Sequence, residues 1–192
     1  MKKLSIIAIL VLMTASAVSA HDGSIGIYTS KLATDCDGDV PPFTPYDVYI
    51  MYFRSTSGPD GITAAEFRVE ISAPATILIS QTTWNPSILT NGSITTGVAV
   101  TFQGVTCYGP GQELIYLATL QLMDIAGTPA GWTVRILGDP RSSTGTGLNV
   151  AICDEFKTMA PVLGGWFVGE EGGCNIGAES RTWGAVKSLY NQ

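Results

Sequence analysis

The chain has 192 residues, 45% of them hydrophobic and 14% charged, with a formal charge of −6. So acidic a surface lacks the cations to neutralise a phosphate backbone, which excludes nucleic-acid binding, and the apolar content excludes a disordered acidic tail. The 22 glycines, 10 prolines and 21 threonines favour strands and turns over helices.

Met1-Lys2-Lys3 is a positively charged start, Leu4 to Val18 is apolar, and Val18-Ser19-Ala20 supplies the small residues that a signal peptidase reads. Residues 1–20 are therefore expected to be a cleaved leader, since the apolar stretch falls short of the ~20 residues that span a bilayer. Loss of Lys2 and Lys3 moves the formal charge from −6 to −8. No later apolar run exceeds Leu114–Met123, so no transmembrane segment is expected after cleavage. The destination is extracellular, cell-surface or periplasmic. His21, first in the mature chain, is the sole histidine. A copper site built on the terminal amine would need a second imidazole, and any Ser-His-Asp or Cys-His arrangement would have to use His21 as its base.

The run Asp35-Cys36-Asp37-Gly38-Asp39 spaces three carboxylates two residues apart, like the oxygen-rich start of a calcium loop. Calcium is the candidate metal and Asp35, Asp37 and Asp39 are its candidate ligands. The competing reading is a polar turn pinned by Cys36.

Period-two alternation then dominates. Strands are expected at Ile25–Thr29, Tyr46–Arg54, Ile62–Ser72, Thr76–Thr83, Gly97–Gln103, Gln112–Met123, Trp132–Ile136, Leu148–Cys153 and Trp166–Val168. In Ile62–Ser72, Glu66, Arg68 and Glu70 form a wet face opposite Phe67, Val69 and Ile71. Tyr46–Arg54 is apolar on both sides and reads as a central strand. Gln112–Met123 is apolar throughout, as a strand covered on both faces would be. Turn signals separate the runs at Ser57–Gly61, Asn91-Gly92, Gly109–Gly111, Gly127–Pro129 and Gly138–Pro140. Arg141–Gly147 reads as a mobile loop. The fold class is all-β, an antiparallel β-sandwich of eight or nine strands over residues 21–179. A short C-terminal helix is expected over 180–192, where Trp183, Val186 and Leu189 share one side and Ser180 is placed as a cap.

All four cysteines follow the leader, which suits an oxidising compartment. Three pairings are open. Cys153–Cys174 closes a local glycine-rich loop and leaves Cys36–Cys107 to join two distant turns, worth about 3 and 4 kcal/mol by loop closure. Free thiols are the alternative.

Flat rings in or beside turns offer a sugar-stacking platform, with Trp166, Trp84 and Tyr108 as ligand-binding candidates. Trp132 reads as core. A glycosidase needs two facing carboxylates, and the adjacent pairs Asp154-Glu155 and Glu170-Glu171 would point to opposite sides of a strand.

YDVYIMYFRSTSGPDGITAAEFRVEI (Tyr46–Ile71) and GQELIYLATLQLM (Gly111–Met123) resemble the opening and later strands of cohesin-like and carbohydrate-binding sandwiches of bacterial extracellular proteins. The whole chain, with its RTWGAVKSLY end, also resembles small secreted bacterial β-sandwich proteins. The resemblance implies a cohesin/jelly-roll or immunoglobulin-like topology, and a cohesin would imply a dockerin partner. The expectation is a secreted, non-catalytic binding or surface-structural module that recognises a glycan or another extracellular or surface protein. The alternative is a secreted carbohydrate-active hydrolase using paired carboxylates.

Overall fold

The computed structural model describes residues 23–54, 61–72, 76–104, 107–110, 112–127, 131–142, 144–145 and 147–169. The expected leader, His21, Glu170, Glu171, Cys174 and the expected helix over 180–192 lie outside these residues. The described part is all strand and loop. The strands are β1 (Gly23–Tyr28), β2 (Tyr46–Arg54), β3 (Ile62–Ser72), β4 (Ile77–Trp84), β5 (Ile88–Ser93), β6 (Gly97–Phe102), β7 (Leu114–Asp124), β8 (Thr133–Leu137), β9 (Asn149–Ile152), β10 (Met159–Pro161), β11 (Leu163–Gly164) and β12 (Trp166–Val168).

Alternation sorts these strands into two sheets. The first has the order β11-β1-β2-β7-β4; the second runs β10-β9-β3-β6-β5, with β8 and β12 continuing from the far half of β3. Pairing is antiparallel throughout except between β1 and β11. The inward side chains of both sheets interdigitate in one apolar core that includes Ile27, Val48, Ile50, Phe67, Val69, Val100, Leu117, Leu120, Val134 and Phe167. Burying such side chains stabilises the fold by roughly 1.5–3 kcal/mol each.

β2 is central, as its two-sided apolarity predicts, flanked by β1 and β7. β7 departs from expectation. Ile115, Leu117, Leu120 and Leu122 are buried, but Tyr116, Thr119, Gln121 and Met123 on its other side are half-buried. Lateral neighbours in the same sheet supply their partial cover, as where Tyr116 lies against Tyr49 at 6.4 Å. The Asn91-Gly92 turn is also corrected. Both residues belong to β5, opposite Ala99 and Val98, and the chain reverses at residues 94–96. Gly92, at φ +107°, takes a backbone conformation within the strand that a side chain would strain.

The expected disulfides are overturned. Cys107 bonds Cys153, with Cα atoms 5.4 Å apart, so neither Cys36–Cys107 nor Cys153–Cys174 forms. The reason is register: Ile62, at the start of β3, bridges to Tyr108 on one side and pairs with Ile152 on the other. The residues beside those partners, Cys107 and Cys153, therefore meet across the end of β3. Cys36, 1% exposed, is also disulfide-bonded.

Arg141–Gly147 is anchored where a mobile loop was expected. Ser142 Oγ donates to Glu66 Oε2 at 2.7 Å and accepts from Asn149 Nδ2 at 3.0 Å, which also reaches Thr144 Oγ1 at 2.8 Å. The buried Asp139 accepts the Arg141 backbone N–H at 2.8 Å. The Arg141 guanidinium donates to the Gly97 carbonyl.

Candidate binding face

The register of the second sheet defines its outer surface residue by residue. Ala65, Val100, Val150 and Ala160 point into the core, so their neighbours point out. Leu89 pairs with Thr101, Thr101 with Ala64, Ala64 with Ala151, and Ala151 with Met159. These five make one row across five adjacent strands. Leu89 is 58% exposed, Thr101 exposed, Ala64 and Met159 half-buried, and Ala151 buried. The next row is Asn91, Ala99, Glu66, Asn149 and Pro161. Small side chains in the middle of the first row, Thr101, Ala64 and Ala151, leave that strip flat and partly apolar. The anchored 139–147 loop borders it through Glu66 and Asn149.

The first sheet is finished differently. Tyr28, Met51 and Cys36 are 1–2% exposed and form a second apolar cluster on its outer side, with Ala33, Tyr49, Phe53 and Tyr116 against them. The β1–β2 connection provides this cover. Thr29 donates its backbone N–H to the Asp35 carbonyl at 2.8 Å, and Lys31 Nζ lies 4.3 Å from the Tyr116 ring centroid, within cation–π range. Gly26 has no side chain because the Tyr28 ring folds back over it.

The acidic run lies along the edge of β12. Asp37 forms a parallel bridge with Val168, and the backbone there is strand-like: Val168 N–H donates to the Cys36 carbonyl at 3.0 Å and Gly38 N–H to the Val168 carbonyl at 3.1 Å. Among the described residues no group of three or more His, Cys, Asp or Glu is placed to hold a metal. The three carboxylates instead surround Tyr46. Burial first, then the charges of Asp37, Asp39 and Asp35, push its hydroxyl above the usual range.

The three aromatic candidates occupy different settings. Tyr108 stacks on Phe102 with ring centroids 4.1 Å apart, and its hydroxyl accepts from the buried Asn85 side chain at 3.2 Å. Trp84, at the end of β4, packs on the core against Phe67 at 6.3 Å. Trp166 stands apart. It lies in β12 opposite Arg135 of β8, half-buried and outside the core cluster. Trp132 is core, 5% exposed and 5.8 Å from Phe167.

Asp154 and Glu155 do not form a facing pair. Asp154 closes a turn by accepting from the Thr158 backbone N–H at 2.7 Å and from the Thr158 hydroxyl. Those hydrogen bonds, the hydroxyl's first, hold its carboxyl below the ordinary range. It is therefore a structural anion rather than a proton donor near neutrality. Sequence reasoning missed the Leu89–Met159 row because its three central residues, Thr101, Ala64 and Ala151, are small or weakly hydrophobic. The adjacent Ala64-Ala65 pair carries the only local signal, since one must face out wherever the other faces in.

No family model matches the chain, and no curated protein matches it. Among solved structures it is similar to the cohesin module of a family 33 glycoside hydrolase from Clostridium perfringens, at 10% identity and a TM-score of 0.53, over 76% of this chain and 93% of that one. It is also similar to a chain of a type I cohesin–dockerin complex from Clostridium thermocellum, at 12% identity and TM-score 0.49, over 76% and 97% of the two chains. A third is the complex of the sixth cohesin of Acetivibrio cellulolyticus scaffoldin B with a Cel5 dockerin, at 15% identity and TM-score 0.48, over 77% and 99%. The fold is a cohesin-like β-sandwich. Among the described residues no helix is long and apolar enough to cross a membrane.

Proposed function

We propose that this protein is a secreted, non-catalytic recognition module that docks a protein partner on the outer surface of its second sheet. The observation that carries the reading is the row Leu89–Thr101–Ala64–Ala151–Met159, a flat, partly apolar strip running across five strands in register. Protein interfaces use such surfaces, with an apolar centre that excludes water and a polar rim that fixes orientation. Here Asn91, Glu66 and the 139–147 loop supply the rim. The level surface of this strip is in keeping: a small substrate needs a concave site with converging polar groups, whereas a docked protein needs a flat one. The Cys107–Cys153 bond supports an oxidising destination.

Dockerins are the partners named in the cohesin complexes, and type I dockerin modules are accordingly the first probes. The immobilised protein should bind at least one purified dockerin in surface plasmon resonance. Leu89→Arg and Ala64→Arg, each on the strip, should weaken that binding by about 30-fold or more. Binding that survives both substitutions unchanged places the interface elsewhere and refutes this face.

A further inference from the structure

The other half of the second sheet carries a separate feature that protein docking does not use. Register sets Glu70, Arg135 and Trp166 side by side on β3, β8 and β12. The flanking Val134, Ile136 and Phe167 are 0–2% exposed and point inward, so these three face out. Glu70 lies six residues along β3 from Ala64, about 20 Å away. Between Arg135 and Trp166 opens a hollow of about 300 Å³, lined by both residues and by Ile136, Leu137, Gly164 and Gly165.

Three properties of this hollow point to one kind of ligand. Its base is rigid: Gly165 donates its N–H to the Ile25 carbonyl at 2.8 Å and accepts from Ile136 N–H at 2.9 Å, stitching the two sheets together. It is also bare. Gly164 and Gly165 bring no side chain into it, and a side chain at Gly164 would strike the Ile136 carbonyl, so only glycine fits there. Finally, its cation is uncommitted. Glu70, the nearest carboxylate in the row, is taken by Arg68 at 3.0 Å, and among the described residues Arg135 has no ion pair.

A half-exposed indole that packs on no other ring among the described residues offers a flat apolar surface. An unpaired guanidinium beside it presents a planar fork that matches a carboxylate. The geometry points to a subsite for a carboxylated sugar, a hexuronate unit whose C–H face lies on Trp166 while its carboxylate is held by Arg135. A neutral sugar would satisfy only the ring. An inorganic anion would satisfy only the guanidinium.

The test uses trigalacturonic acid and its methyl ester as probes, followed through the backbone and indole N–H signals of the ¹⁵N-labelled protein. The acid should produce saturable shifts centred on the Trp166 indole and on residues 135–137 and 164–166. The ester should bind at least about tenfold more weakly, because the guanidinium loses its ionic partner. Trp166→Ala should abolish the shifts, and Arg135→Gln should weaken the acid to the level of the ester. Both positions face outward, and unchanged melting temperatures would confirm folding. Three results overturn the subsite: no saturable shift with the acid, equal affinity for acid and ester, or unchanged binding in Trp166→Ala. Shifts centred instead on the Leu89–Met159 row would also overturn it. Failure here leaves the dockerin experiment untouched, because the two surfaces share no residue.

Discussion

The two sheets of this sandwich share one core, yet their outer surfaces are finished in opposite ways. On the first sheet the β1–β2 connection folds back over Tyr28 and Met51, carrying Cys36 and Lys31 with it, and buries an extra apolar cluster. On the second sheet no loop among the described residues crosses the row from Leu89 to Met159, and the loop that comes near it, 139–147, is held at its border by Glu66 and Asn149. A chain that covers one surface and leaves the other bare separates a face built for stability from the one proposed to dock a partner. Size is not the distinction, since the open sheet has seven strands and the covered one five.

This contrast is broken most severely by placing the same charge on each face. Met51→Asp buries a carboxylate at a site 2% exposed with no partner to pair it, and should cost about 4 kcal/mol. Leu89→Asp, on the open strip, should change stability by less than about 0.5 kcal/mol. Urea denaturation of the two variants reads the difference directly. Similar losses in both would mean that the open strip is covered in solution and that the contrast is false.

A second way to sharpen the comparison is to loosen the open face alone. The Cys107–Cys153 bond closes a separation of 46 residues and staples the strands on either side of the start of β3. Loop-closure entropy gives it about 4 kcal/mol as an upper figure. The double variant Cys107→Ser, Cys153→Ser should lose roughly 3 kcal/mol in urea, somewhat less than that ceiling because native-state relaxation offsets part of the loss. Hydrogen exchange should rise first at β9 and at the beginning of β3. Faster exchange beginning instead in β1 and β2 would show that the bond supports the covered face.

The fold was largely legible in the residues, and the presenting surface was not. Strands such as Ile62–Ser72 and Tyr46–Arg54 announce themselves because alternation is a local property: Phe67 and Val69 against Glu66 and Arg68 need no knowledge of partners. The disulfide pairing failed for the opposite reason. Cys107 and Cys153 meet only because Ile62 pairs with strands on both sides, and register between segments so far apart leaves no trace in spacing. Short local loops look favourable by chain entropy, which is what recommended Cys153–Cys174. The Leu89–Met159 row is invisible for the same reason, being assembled from one residue per strand. Trp166 was a partial exception. Its place in or beside a turn marked an open setting, but Arg135 became its neighbour only through the β8–β12 pairing.

The smallest expected effect tests whether the covered face is perfectly finished. Tyr28 is 1% exposed, and among the described residues its buried hydroxyl, which lies over Gly26, has no hydrogen-bond partner. Tyr28→Phe removes that unsatisfied group while keeping the ring against Phe53, 5.3 Å away, and should raise stability by about 1 kcal/mol. Burial also pushes the Tyr28 hydroxyl well above its ordinary value of 10.0. The folded state therefore favours the neutral phenol, and the unfolded chain loses that proton at lower pH. The resulting stabilisation is complete below about pH 10 and declines as pH rises further, toward the folded-state value. Wild type should accordingly lose stability faster than Tyr28→Phe above pH 10, with the difference constant below it. Parallel pH profiles for the two proteins across pH 8–11.5 would show that water reaches the hydroxyl, and that the covered face is not closed over Tyr28.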